Sequence, residues 1–549
     1  MSMVGVKVLF GRFLPGWAVF FSTLIALLVG SWSPSFSIGG DPAVYLYEVY
    51  RTLQGDALVW RGYFSSNPMG HPAPILHLVL AAGAVLAQLA GFEFILGSAV
   101  AYLLMLAACV GLSTQMMYRG SRDNPAVAVV FFASVLWLAT RVPSTEAHSV
   151  RTALTFFPIY GPSFSAVLAL PALSAAYAVC NGRRQYAWVA VLFGALTVQA
   201  SSSGAPLGAL SVAVGLWAMV SGRLCSKHPL RVASAVFLGF GPFVVRLYTD
   251  GWLFPYEYAK ATVESRNLRA SLYPPESFYV RLNQILGSTG RPALILVAMF
   301  SLAAVGLLVR RSRPGGIFLL LALVLQSFAS LWFATVGHQA IHLSAVLPTV
   351  AASAATLLYT PAGLAGSLRR FMSILVAASI VGFSGLSLVF QSHLVGGNKA
   401  ALSYEEMQGD WVRGLISSMP AGSSEGLIGL IAEKDPYLEV ALGWVYAAEL
   451  YLELSRSGID FCTQPNTSMD FNGTPPSCAG RTPDRWLVFD SSMRSGRQYL
   501  QVLEENPNVS LPAVFIHLSD SLAEVGYVYC EGGSRYWMFE QNRLRDGCV

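Results

Sequence analysis

Residues 13–33, FLPGWAVFFSTLIALLVGSWS, and the stretch behind them at 39–56, GGDPAVYLYEVYRTLQGD, decide the fold between them. The first is an apolar run of about 20 residues, the length at which a helix crosses the hydrocarbon of a bilayer. Lys7 and Arg12 precede it and no small-x-small cleavage site accompanies it, so it reads as a retained anchor, not a cleaved leader. The second stretch opens on Asp41 and Pro42, a pairing that starts helices, and continues as an aromatic-rich amphipathic segment. An acid at the head of such a helix, directly behind a membrane anchor, is either a local cap or a group that does chemistry at the membrane surface.

The rest of the chain repeats the first pattern. Of 549 residues, 54% are hydrophobic and 12% charged, and the mean hydropathy of +0.53 is that of a polytopic membrane protein. Apolar runs recur near 72–92, 95–117, 125–140, 160–180, 186–201, 204–221, 230–247, 292–309, 316–335, 340–359 and 371–391. The expectation is an α-helical membrane domain over 1–391 with 11 to 12 transmembrane helices, followed by a separate domain over 392–549. The net charge of +5 is small and its basic residues fall in short clusters, which excludes nucleic acid as a partner.

Those clusters orient the chain. Arg119 and Arg122, Arg183 and Arg184, Arg223 with Lys227 and Arg231, Arg310 with Arg311 and Arg313, and Arg369 with Arg370 fall on alternate connections, which the positive-inside rule makes cytoplasmic. The loops 34–71, 141–160 and 248–291 and the tail after 391 are then extracytoplasmic. Lys7 and Arg12 place the N-terminus in the cytoplasm, in conflict with a crossing by every early run. A run at 72–92 that lies along or re-enters the membrane, headed by His71, Pro72 and Pro74, resolves the parity.

The tail reads as an α/β domain. Strands are expected at 426–432 (GLIGLIA), 485–489 (RWLVF) and 513–518 (AVFIHL), a helix at 436–454, and a closing hairpin from 527–530 and 536–539. Cys462, Cys478, Cys530 and Cys548 all lie in it, as befits disulfides on the oxidising side of a plasma membrane. Proximity suggests Cys462 with Cys478 and Cys530 with Cys548, one of three connectivities that four cysteines allow. Cys109, Cys180 and Cys225 lie in or beside membrane helices, as small apolar fillers. No nucleotide-binding glycine pattern, nucleophile elbow or C-x-x-C metal spacing occurs in the tail.

The candidates for chemistry are polar residues on the outer face. Asp41 and Glu146, carboxylates from two external loops, suit general-base work on an acceptor hydroxyl. Lys260, Arg266, Arg269 and Arg281, in the loop 248–291, are cations of the kind that hold a lipid phosphate. Tyr45, with Tyr47 and Tyr50, suits an aromatic belt at the interface and is a candidate to touch substrate. His338 and His342 are spaced for one helical face. Without a third ligand they suit packing or a hydrogen bond at the donor site, not a metal.

An acid just after the first membrane helix, an amphipathic helix, and then a His-Pro-x-Pro turn (His71, Pro72, Ala73, Pro74) resemble the GT-C superfamily of glycosyltransferases. The protein mannosyltransferase and lipid A aminoarabinose transferase branch is nearest in layout. The resemblance implies a polytopic enzyme that transfers a sugar from a polyprenyl-phosphate carrier to a hydroxyl of a glycan, lipid or protein outside the membrane. It implies Asp41 as base and His71 in the substrate site. Many members carry two adjacent acids where this chain has Asp41-Pro42, so no cofactor is required by the pattern and a divalent metal stays an open question. Two other readings remain: a ligase- or polymerase-like transferase using diphosphate-linked glycan, and a lipid or glycan transporter. A transporter should show an internal repeat and ionisable residues at mid-membrane, and the sequence shows neither.

Overall fold

The computed structural model describes residues 16, 17, 19–21, 41–55, 73–123, 127, 128, 131, 132, 135, 161–221, 229–272, 314–334, 349, 352, 427–433, 451, 452, 454–463, 478, 480–490, 527–530 and 536–541. The chain divides into two compact units, one of Met1–Pro34 with Trp60–Gly397 and one of Ser35–Val59 with Asn398–Val549.

The larger unit is helical. Its described helices are α2 (Ile75–Leu89), α3 (Phe94–Gly120), α4 (Gly161–Cys180), α5 (Ala187–Ala200), α6 (Ala205–Ser221), α7 (Pro229–Asp250), α8 (Phe254–Leu272) and α9 (Pro314–Ala334). All but α8 coincide with apolar runs in the sequence. Among the described residues, α3 and α7 are long and apolar enough to cross a bilayer. At 27 residues, α3 rises about 40 Å, more than the roughly 30 Å of hydrocarbon. Helices consecutive in the chain pack side by side, α2 on α3, α4 on α5 and α5 on α6, while α3 and α9 also lie against α4 and α7 against α5. Met116, Phe131, Leu173, Tyr177 and Phe318 meet in the core.

The α2–α3 contact is a tight helical hairpin. A Cβ on Gly83 would sit 2.2 Å from the Gly97 carbonyl oxygen, so the two backbones touch where both residues lack a side chain. Ser98 Oγ donates to the Leu80 carbonyl across the same seam, at 3.1 Å. Helix α2 has 15 residues and rises about 22 Å, too little for a full crossing. It runs beside the N-terminal half of α3. At the other end of α3, the Gly16 amide donates to Gln115 Oε1 at 3.0 Å, so the first apolar run starts beside the last turns of α3.

Two basic connections meet at this end of α3. Asp123 bonds Arg119 at 2.8 Å and Arg183 at 3.2 Å, and Arg183 Nε donates to the Arg119 carbonyl at 3.1 Å. The connection after α3 and the one after α4 therefore lie together, with Asp123 bridging their arginines.

The smaller unit contains α1 (Asp41–Gln54) and a five-stranded sheet of β1 (Ile428–Glu433), β2 (Phe461–Thr463), β3 (Arg485–Asp490), β4 (Tyr527–Cys530) and β5 (Tyr536–Gln541). The order is β2-β1-β3-β5-β4, with β2, β1 and β3 parallel and β5 and β4 antiparallel to their neighbours. Strands β1 and β3 and the β4–β5 hairpin occupy the expected positions. The strand expected at 513–518 lies outside the described residues, as does most of the helix expected from 436. That helix is described at its end, where 451, 452 and 454–456 are helical. Gly458 closes it at φ +68, where a side chain would be strained, and the Ile459 amide reaches the Leu454 carbonyl at 3.0 Å. Strand β2 was not expected, because three residues show no periodicity. The disulfide Cys462–Cys478 ties it to the segment entering β3.

Candidate functional site

Asp41 is the first residue of α1, with Pro42 in its first turn. Proline suits that place, because its fixed φ is helical and the first amides of a helix have no partner to lose. The middle of α1 is unusual. Val44, Tyr45, Leu46, Tyr47, Glu48 and Val49 are all buried, between 0% and 4% exposed. Six consecutive residues cover every side of a helix, so α1 is enclosed and does not float on a surface. Tyr45 and Tyr47 therefore do not form a belt at the lipid–water interface, which would require rings open to lipid headgroups.

Glu48 sits in this enclosed turn, and neither carboxyl oxygen has a hydrogen-bond partner. Burial pushes its pKa from 4.5 up to about 8, against the pull of Arg51 one turn later, so the group is neutral at physiological pH. Nothing in the sequence distinguishes Glu48 from a solvated residue on the polar side of an amphipathic helix. Only the enclosure of α1 does.

A second polar cluster lies in the larger unit, where α7 ends and α8 begins. Arg246 is 1% exposed and pairs with Asp250 one turn on, whose side chain is 7% exposed. The Arg246 guanidinium also stands 4.5 Å from the centre of the Phe254 ring. Phe254 itself packs between Phe243 and Tyr258, at 6.0 and 5.8 Å between ring centres. Thr249 Oγ1 donates to Asp250 Oδ1 at 3.2 Å. This chain of contacts turns the end of an apolar helix into the start of a polar one.

Tyr258 continues the cluster to the short connection between α5 and α6. Its hydroxyl is hydrogen-bonded to Ser202, and burial pushes its pKa up to about 12, so it stays protonated. Gln199, one turn before Ser202, donates from Nε2 to the carbonyls of Ala195, at 3.0 Å, and Gly239. Its Oε1 is buried without a partner, an acceptor open to a hydroxyl donor. From Gly239, Arg246 is seven residues further along α7, about 10 Å on the same face and level with the end of α5. Gln199, Ser202, Arg246, Asp250 and Tyr258 thus form one polar patch where α5 and α7 end. The sequence reading found neither Arg246, hidden at the end of an apolar run, nor Gln199.

Of the residues expected to hold a phosphate, Lys260 lies on α8, exposed, with Glu264 at 3.8 Å. Arg266 and Arg269 lie on the last turns of the same helix. The region 248–291 thus contains a helix where a loop was expected, and these three residues all fall on it. Glu146, His71, Arg281, His338 and His342 lie outside the described residues. Among the described residues, no three His, Cys, Asp or Glu side chains group as a metal site requires.

No family model matches the chain, and no curated protein matches it by sequence. Solved structures do match. ArnT of Cupriavidus metallidurans, bound to undecaprenyl phosphate, is 13% identical, with a TM-score of 0.50 over 98% of this chain and 98% of that one. The Archaeoglobus fulgidus oligosaccharyltransferase, in complex with zinc and sulfate, gives 13% identity and a TM-score of 0.45 over 94% of this chain and 72% of that one. The archaeal oligosaccharyltransferase AglB of the same organism, with an inhibitory peptide and a dolichol-phosphate, gives 11% and 0.46 over 89% and 71%. The match to ArnT spans both chains almost end to end, and the chain therefore has the mainly helical fold of that protein, as the resemblance to the GT-C superfamily implied.

Proposed function

We propose that the chain is a membrane glycosyltransferase that moves a single sugar from a polyprenyl-phosphate carrier to a hydroxyl acceptor at the extracytoplasmic face. The observation that carries the reading is the end-to-end fold match to ArnT, an enzyme solved with undecaprenyl phosphate bound. Two features of this chain fit it. An acid heads a helix in the first external loop, and a helix bearing Lys260, Arg266 and Arg269 follows α7. The acceptor is a glycan, a lipid or a protein.

In the proposed reaction Asp41, ionised, accepts the proton of the acceptor hydroxyl as that oxygen attacks C1 of the sugar. The bond from C1 to the phosphate oxygen breaks, its electron pair leaves with the phosphate, and polyprenyl phosphate is released. Displacement in line inverts the anomeric centre. The leaving group gains negative charge as the bond breaks, so cations held against the phosphate stabilise the transition state more than the bound donor. Lys260, Arg266, Arg269 and Arg281 are the candidates, with Glu146 a second acid, and His71, His338, His342 and Tyr45 candidates to orient the sugars. Arg246, neutralised by Asp250, orders the start of α8 and so the helix that presents the cations. The carrier phosphate is already a competent leaving group, so no nucleotide is needed. Whether a divalent ion assists is tested by adding chelator to the assay.

Purified protein in lipid nanodiscs, supplied in parallel with a labelled polyprenyl-monophosphate sugar and a diphosphate-linked oligosaccharide, tests the reading. The monophosphate donor should be consumed and the diphosphate left intact. Consumption of the diphosphate-linked glycan alone would instead support a ligase- or polymerase-like transferase.

A further inference from the structure

Helix α1 lies in the first external loop by sequence, yet its structural companions lie some 400 residues away. Residues 35–59 belong to the same compact unit as 398–549. Among the described residues, two side chains of α1 reach them. The Tyr47 ring stands 5.6 Å from that of Tyr451, which stacks on Phe461 at 5.4 Å and 13° between planes. One turn along α1, the Tyr50 hydroxyl donates to the Ser455 carbonyl at 3.1 Å.

Both anchors on the C-terminal side are stiffened. Ser455 lies in the helix end closed by Gly458, whose amide donates to the Ser455 carbonyl at 3.2 Å, so that oxygen is held by the turn as well as by Tyr50. Phe461 opens β2, where the next residue, Cys462, is held by the disulfide to Cys478 and the strand pairs with β1. Among the described residues, a path from α1 to the central sheet runs through a ring stack and a hydrogen bond and ends on a covalent crosslink. A helix transmits position along its axis, and Asp41 is six residues from Tyr47 and nine from Tyr50, about 9 and 14 Å along it.

We infer that the C-terminal domain holds the helix that carries the catalytic base, with Tyr47, Tyr50 and Tyr451 as positioning residues for Asp41. The inference rests on the glycosyltransferase reading and gives the C-terminal domain a part in the reaction besides any acceptor binding. A misplaced base slows proton removal in the transition state and leaves donor binding alone, so the loss falls on kcat and not on the donor KM.

The test is steady-state transfer by the full-length protein in nanodiscs, with hydrogen exchange read over 41–54. Tyr451→Ala should lower kcat at least tenfold at unchanged donor KM and lose protection in α1. Tyr451→Phe, which keeps the ring stack, should stay within about threefold of wild type. Tyr50→Phe, which removes one hydrogen bond and preserves folding, should lie between them. Wild-type kcat and protection in Tyr451→Ala, or equal losses of kcat and donor affinity, would overturn the inference while the activity stands. A wild-type protein that transfers no sugar from any carrier would overturn the glycosyltransferase reading and this inference together.

Discussion

Glu48 keeps its place in α1 only as the neutral acid, because a carboxylate without a single hydrogen bond in an enclosed site is too costly. In the folded chain its pKa is about 8, while in the unfolded chain it returns toward 4.5. Between these values the folded state holds a proton that the unfolded state has lost, so its contribution to stability is complete below pH 4.5 and disappears as pH rises through 8. Glu48→Gln removes the titration. Thermal unfolding of the smaller unit should show the variant gaining on wild type from pH 5 to pH 8, by as much as roughly 1.4 kcal/mol per pH unit. Parallel stability profiles for the two proteins would contradict a buried neutral acid. Arg246 meets the same problem by the opposite route, keeping its charge through Asp250 and the face of Phe254.

At the scale of elements, the helices of the larger unit depend on close backbone approaches that no side-chain rearrangement can relieve. Ala at Gly83 would place its Cβ 2.2 Å from the Gly97 carbonyl oxygen and force α2 and α3 apart. Gly83→Ala should cost about 1–3 kcal/mol in thermal unfolding of the purified protein. Gly241→Ala, where nothing lies within 4 Å of the added carbon, should change stability by less than about 0.5 kcal/mol. Equal effects at the two positions would contradict the hairpin. The apolar helices were legible from the sequence because a bilayer selects composition and length, both local properties. Helix α8 was not, since YEYAKATVESRNLRA carries no apolar run and its start is set by Phe254 and Tyr258 packing on neighbours. In the site the same division holds. Asp41 announced itself by Asp-Pro and its position behind an anchor, whereas Glu48 and Arg246 became visible only through burial, a property of the folded chain.

At the scale of the whole molecule, the chain's order and its structural units differ. The segment 35–59 interrupts the membrane domain in sequence and joins the C-terminal domain in structure. The acid read first from the sequence thus belongs to a unit completed only by the last residues of the chain. We propose that this carboxylate removes a proton from an acceptor as sugar leaves a polyprenyl phosphate. The most direct measurement compares wild type and Asp41→Asn, both purified in nanodiscs, for transfer from the labelled polyprenyl-monophosphate sugar and for donor binding. Transfer by Asp41→Asn should fall by about 10²- to 10⁴-fold with donor affinity retained. Transfer by Asp41→Asn at the wild-type rate would contradict it.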